Sequence, residues 1–326
     1  MPAAVTAEMD TSPVDLRTAA AIEATEARAW ADLYSAAPTE FANAAGVGCR
    51  NVAGTLVLSW AATGRRYFSR TIGLGVAAPA TEETIDQILA GYDEAGITMF
   101  LLQSLPHCLP AGYERWLRDG GLEPFDSQDR VIRAGQPLDT LTARSDRELL
   151  VERVGRVTQD EGAEFLQRVY RLDTGPSLQA LIGRPGWHQY IAREGGQPVG
   201  ARAMYIGPDG VAWWGMDGPV PGVMTDDHEP DAAICAFMVK DGLAHGAGGS
   251  SPTSRRPRPP WTRPHTGASP SSDSGGRTSA PTTPGCELLA RLDLKIRGRA
   301  RRPRAQLRRD GRRDPALEPT PPALPA

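Results

Sequence analysis

The residues able to do chemistry cluster in the second half of the chain. Asp217 ends a predicted strand, Val211–Met216, and is placed to take or hold a proton; as a structural residue it would instead face Gly218 in a turn. His188 and Tyr190 lie two apart in another predicted strand, Trp187–Arg193, so alternation puts both on one sheet face. There they can line a pocket or end in buried hydrogen bonds. Residues 222–231 read Gly-Val-Met-Thr-Asp-Asp-His-Glu-Pro-Asp, which brings Asp226, Asp227, Glu229 and Asp231 into one loop. Four carboxylates that close repel an anion, and Asp226, Asp227 and Glu229 could hold a cation if they are not simply solvated. His228, in the same loop, could contact a phosphate when protonated. His107 and Cys108 are adjacent, and adjacency does not orient a base toward a nucleophile. Cys49, Cys108, Cys235 and Cys286 show no metal-ligand spacing, so the sequence predicts free thiols and no metal centre.

These residues need elements to position them. Ala/Glu/Arg-rich residues 14–36 predict a helix with Leu16, Ala20, Ile22, Ala29, Trp30 and Leu33 as its apolar positions. Strands are predicted over Val52–Trp60 and Tyr67–Val76. A helix follows, capped by Thr81, with Ile85, Ile88, Leu89 and Tyr92 inward and Gly96 as its stop. A strand at Ile97–Leu102, a helix at Ala111–Arg118 and a strand at Asp129–Arg133 complete one α/β unit. Gly73-Leu74-Gly75 is read as strand-end glycines rather than a phosphate loop. A second unit begins near Arg147: strand Leu149–Val154, helices Asp160–Leu172 and Ser177–Ile182, then strands Trp187–Arg193, Pro198–Ile206 and Val211–Met216 joined by Gly-rich turns. Trp213 and Trp214 are consecutive and must face opposite sides of their strand. A helix over Asp231–His245 closes the unit.

Charge divides the chain. Residues 250–326 hold 16 Lys/Arg against 6 Asp/Glu and 14 of the 29 prolines, leaving residues 1–249 with 20 cations against 33 acids and a net charge of −13. That balance argues against nucleic acid as a partner of the folded part. The sequence shows neither a leader-like apolar segment nor a run of bilayer length, which predicts a cytoplasmic protein without membrane association.

The order strand, helix, helix, three antiparallel strands, helix, with Gly183-Arg184-Pro185-Gly186-Trp187, Tyr190–Pro198 (YIAREGGQP), Ala212-Trp213-Trp214-Gly215 and Val220-Pro221, resembles the GNAT superfamily of acyl-CoA-dependent N-acyltransferases. It is most similar to actinobacterial members in which a degenerate GNAT-like half precedes the recognisable one. The resemblance implies an α/β (α+β) fold whose mixed, mostly antiparallel sheet is flanked by helices. The implied divisions are a structureless 1–13, a degenerate half over 14–140, a GNAT half over 147–247 that stops short, and a Pro/Arg-rich tail over 248–326. It implies acetyl-CoA or another acyl-CoA as co-substrate and transfer, most simply of acetyl, to the amine of a small molecule or peptide. Asp217 and Tyr190 become the catalytic candidates. Gly215, Met216, Val220 and Thr225 become coenzyme contacts, and His188 lines the acceptor pocket. The family's Gly-rich phosphate loop is not matched by residues 222–231, and no fifth strand is readable. A non-catalytic ligand-binding or regulatory module is therefore the second reading.

Beyond Ala247 the apolar periodicity stops, and residues 248–326 are expected to be disordered. Two readings stand, a genuine disordered tail or a shifted reading frame: taking the last base of each codon with the first two of the next, Ser272-Asp273-Ser274 can encode Leu-Gly-Phe, a phrase suited to the late helix-to-strand junction of the family. The basic run Arg297–Arg313 could bind nucleic acid through its charge, without aromatics for base stacking.

Overall fold

The computed structural model describes residues 15–105, 108–134, 147–219, 224–252 and 289–297. Helix α1 (Leu16–Ala36) begins where Asp15 accepts the Thr18 N–H at 3.0 Å. Its buried face carries Ala19, Ile22, Ala29, Trp30 and Leu33, and also Glu23 and Glu26; Leu16 is exposed. A short helix α2 (Thr39–Ala45) leads to β1 (Val47–Val52) and β2 (Thr55–Trp60). The single strand expected over 52–60 is thus a hairpin. Ala53 and Gly54 both take positive φ, 47° and 82°, and Asn51 Oδ1 accepts the Gly54 N–H at 2.9 Å. A two-residue turn of that hand folds the chain back along the strand twist. The strand expected over 67–76 shortens to β3 (Arg70–Leu74), because a 3-10 turn occupies Arg66–Phe68. Helix α3 (Glu82–Glu94) starts at Thr81, whose Oγ1 accepts the Thr84 N–H. Then come β4 (Leu101–Ser104), α4 (Tyr113–Asp119) and β5 (Pro124–Ala134).

The second series runs β6 (Leu149–Arg153), α5 (Gln159–Tyr170), α6 (Gly175–Gln179), β7 (Trp187–Glu194), β8 (Gln197–Ile206), β9 (Val211–Gly218) and α7 (Glu229–Ala244). Two further strands differ from the expectation of a structureless segment. β10 (Gly249–Pro252) lies parallel to β9, led there by a Gly248 N–H to Gly210 carbonyl bond of 2.8 Å. β11 (Leu289–Arg297) inserts between β4 and β5, antiparallel to both. Its sequence alternates Leu292, Leu294 and Ile296 with Arg291, Asp293 and Lys295, a strand period masked by its flanks. The described residues thus include four residues of a fifth strand of the second series.

All strands join one mixed sheet in the order β1-β2-β3-β4-β11-β5-β10-β9-β8-β7-β6, mostly antiparallel. Helices α1, α5 and α6 cover one face. There Trp30, Leu33, Phe165, Leu166 and Leu178 meet Leu58, Trp60, Trp187 and Trp213. The other face is covered by α3 and α4 over β3 and β4, and by α7 over β7–β9. Trp213 and Trp214 point to these opposite layers, as consecutive strand residues must. Among the described residues no helix is long and apolar enough to cross a membrane.

Two strand pairs in this sheet are parallel. β9 pairs with β10 from Val211 to Trp214 and then runs on through Gly215–Gly218 without a β10 partner among the described residues. β3 and β4 pair at Arg70–Leu101 and Thr71–Leu102, then slip in register before Leu74–Ser104.

Candidate functional site

The free end of β9 is bent. Ala203 faces Gly215 and Ala201 faces Gly218, so Arg202 alone opposes Met216 and Asp217. This is a β-bulge, and Met216 sits in the left-handed region at φ 53°. Trp213 lies flat over Gly215, where an added Cβ would come within 2.2 Å of its ring, so only glycine lets the indole cover this stretch. The Tyr170 hydroxyl donates to the Asp217 carbonyl, tying α5 to the bulge.

Arg202 holds the underside of the bulge. It is buried, with Nη2 at 2.7 Å from Asp231 Oδ1 and 3.3 Å from Asp217 Oδ2, and its Nη1 donates to Cys235 Sγ at 3.1 Å. Burial pushes the Asp231 carboxyl up, against the pull of Arg202. The pairing fixes the Asp217 side chain at the first turn of α7.

The loop leading into α7 caps itself. Thr225 Oγ1 accepts the Asp227 N–H at 3.0 Å, and Asp227 Oδ1 accepts the Glu229 N–H at 3.1 Å. Pro230 offers no N–H. Arg147 bridges the carboxylates, at 2.5 Å from Glu194, 2.6 Å from Asp227 and 4.0 Å from Glu229. Its hydrogen bonds hold Asp227 and Glu194 below the usual carboxylate range. The acidic loop expected from the sequence is therefore laced to an arginine 80 residues away, which occupies the place proposed for a bound cation.

A second polar group lies toward the other end of α7. Ten residues separate Asp231 from Asp241, about 15 Å along a helix. Asp241 Oδ2 accepts from the Tyr190 hydroxyl at 2.6 Å and lies 3.0 Å from His188 Nδ1. Burial would raise the Asp241 carboxyl, but the bonds from Tyr190 and His188 and the Arg153 charge bring it below its ordinary value. Burial pushes the Tyr190 phenol far up, so it stays protonated, and burial with the Arg153 and His245 charges lowers His188 despite Asp241. A cavity of about 250 Å³ borders this group, lined by Gly183, Arg184, Gly186, His188 and His245 among others.

The structure thus places His188 and Tyr190 together on the α7 face, sharing Asp241. Asp217, Gly215 and Met216 sit on the free end of β9, and Thr225 begins the capping network of α7. Val220 and His107 lie outside the described residues. Sequence reasoning passed over Arg202, Arg147, Tyr170 and Asp241, although a lone arginine between Ala201 and Ala203 was itself a sign that a buried carboxylate must face it.

No family model matches this chain, and no curated protein does either. Among solved structures, a GCN5-related N-acetyltransferase from Kribbella flavida superposes with a TM-score of 0.50 at 14% identity, covering 86% of this chain and 95% of that one. A functionally unknown conserved protein from Staphylococcus epidermidis gives 0.46 at 9% identity, over 76% and 91% of the two chains. With helices on both faces of a mixed, mostly antiparallel sheet, the chain has a GNAT-like fold.

Proposed function

We propose that this protein is an acyl-CoA-dependent N-acyltransferase whose coenzyme half spans 147–247 and whose half over 14–140 is its degenerate counterpart. The reaction is transfer of an acetyl group to the amine of a small molecule or peptide, in the cytoplasm. One observation carries the reading: β9 runs on through a bulge past its described pairing with β10, and among the described residues Gly215–Gly218 have no partner on that edge, close to the α7 N-terminus. An open strand edge offers N–H and carbonyl groups at the spacing of an amide-bearing arm such as pantetheine. Acetyl-CoA would supply the activated acyl group as a thioester.

The chain's own groups then have defined work. Gly215–Gly218 bind the arm by their backbone. Met216, turned into the left-handed region, re-aims the strand toward the opening. Asp217 takes the amine proton, directly or through water, while Arg202 holds its carboxylate in place. Tyr190 stays protonated and donates to Asp241, so its work is positioning within the α7 face rather than proton abstraction.

The fit at the helix end is conditional. The Glu229 N–H is already taken by Asp227, and Glu229 and Asp231 bring negative charge to the first turn. A pyrophosphate fits there once Asp227 releases that N–H and Arg147 turns from the carboxylates to the phosphates. The same self-capping favours the second reading, a non-catalytic ligand-binding module. Thermal unfolding with increasing acetyl-CoA tests coenzyme binding, since a ligand of the native state must raise the midpoint. Thiol release from acetyl-CoA over a panel of amines separates the enzyme from the module. An unchanged midpoint at millimolar acetyl-CoA contradicts coenzyme binding; a raised midpoint with no thiol release supports the module.

A further inference from the structure

We propose that His188, Asp241 and His245 form a zinc-binding site that pins the C-terminal end of α7 to β7, independent of the reaction assigned to the opposite end of that helix. The three side chains each offer one ligand atom, all within 4.8 Å of one another. The Asp241 carboxylate stands between the two imidazoles: Oδ2 lies 3.0 Å from His188 Nδ1 and Oδ1 3.4 Å from His245 Nδ1. Zinc–ligand bonds of about 2.0–2.1 Å in a tetrahedron put neighbouring ligand atoms about 3.3 Å apart. Between His188 and Asp241 the ion takes the position of a proton; His245 Nδ1 lies 2.7 Å from the Asp241 backbone carbonyl, so His245 ligates either by releasing that contact or through Nε2 once Arg153 moves away.

The donor set is right for the ion. Two imidazoles and one carboxylate suit zinc rather than calcium or magnesium, which take oxygen ligands. His188 stands on β7, Asp241 in the last turn of α7, and His245 is the residue that caps the C-terminus of that helix. The surroundings supply outer support: the Tyr190 hydroxyl donates to Asp241 Oδ2, as such carboxylates need to hold their orientation. The cavity bordered by His188 and His245 is open to a fourth ligand, a water molecule.

Arg153 opposes the ion, with Nη1 at 3.3 Å from His245 Nε2 and Nε at 3.7 Å from Asp241 Oδ2. Its side chain is 43% exposed and can swing to solvent. The location gives the site a consequence. Beyond His245 the chain turns through Gly246 and Ala247 into β10, so an ion here stiffens the joint that sets β10 against β9.

The test uses the full chain stripped with a chelator and titrated with zinc in competition with a chromophoric chelator, then with cobalt to report the ligand set. One zinc per chain, a raised unfolding midpoint, and cobalt d–d absorption without a thiolate charge-transfer band are expected. His245→Ala removes a half-exposed side chain, spares the core and lowers affinity by at least about 100-fold, beyond the 10–100-fold that loss of a supporting residue costs. Arg153→Ala raises affinity, whereas Cys49→Ser, which removes an exposed thiol, leaves it unchanged. Substoichiometric binding, equal affinity in His245→Ala, or loss of binding in Cys49→Ser overturns the proposal.

Discussion

The two parallel strand pairs of the sheet are alike in topology and opposite in what fills them. In β3/β4 the register slip is closed by side chains. The Glu23 carboxylate of α1, 1% exposed, accepts the Gly73 N–H at 3.0 Å and the Gln103 Nε2 at 3.1 Å, while Thr71 Oγ1 accepts the Gln103 N–H. Glu26 beside it takes Arg70 at 2.7 Å. The loop after β3 is sealed as well, since an added Cβ on Gly75 would meet the Cys108 carbonyl at 2.3 Å. Against β9, α1 presents apolar groups instead: Trp30 meets Trp213 edge-on with ring centroids 5.8 Å apart, while Asp32 binds Arg184 and the Trp187 Nε1 and Arg28 pairs with Asp209 at the surface. One helix therefore meets the first pair with buried carboxylates and the second with an indole. A backbone opening is usable by a ligand only while its N–H groups lack an internal acceptor, which is why the proposed coenzyme arm is assigned to the second pair.

Breaking the second pair is expected to cost most. Arg202→Met leaves Asp217 and Asp231 beside the bulge without their cation, a loss of about 3–5 kcal/mol, read as a fall in the urea midpoint. Unaltered stability would mean that the bulge stands without its arginine. Opening the first pair costs less. Glu23→Ala strands the Gly73 N–H and the Gln103 amide, for about 1–3 kcal/mol, with acetyl-CoA affinity unchanged; a change in that affinity would place a ligand in the half we regard as closed.

The Asp32 contact is sensed by acid. Burial raises the Asp32 carboxyl, but hydrogen bonds from Arg184 and Trp187 outweigh it and bring the group below its ordinary value. A carboxyl lowered on folding contributes stability above its unfolded pKa and loses it as pH falls through the folded value, so the loss sets in below about pH 4. Asp32→Asn should cost about 1 kcal/mol at neutral pH and make the acid-side decline of the unfolding midpoint shallower. The smallest effect on stability belongs to Arg147→Ala, because its partners Glu194 and Asp227 are about 40% exposed and solvent screens the pairs. Its effect on acetyl-CoA binding is larger and weakens it, if that guanidinium turns to the phosphates; tighter binding would make Arg147 part of the obstruction.

Much of this was legible in the sequence. Thr81 and the Ile85–Tyr92 stripe gave α3, and the Gly-rich turns gave the β7–β9 meander with its two tryptophans on opposite faces. What stayed hidden has a common cause: polar groups buried in pairs leave no periodic trace. Glu23 and Glu26 look like the solvent side of α1, and partners such as Arg70, Gln103 and the Gly73 N–H explain their burial. The hairpin at Ala53-Gly54 was missed because alanine there lacks the turn chemistry of asparagine. The bulge at Met216 shifts register by one residue, which no alternation count reveals, so the contact of Asp217 with Arg202 was invisible. His188 and Tyr190 were correctly placed on one face, yet Asp241, about 50 residues on, supplied the group they share.

The central claim is that ligand binding belongs to β9/β10 and is denied to β3/β4. Hydrogen exchange of the full chain, followed by mass spectrometry with and without saturating acetyl-CoA, tests it directly. Slowed exchange confined to Gly215–Gly218 and the first turns of α7 is the expected result. Protection at Arg70–Leu74 or Leu101–Ser104, or no protection anywhere, contradicts it.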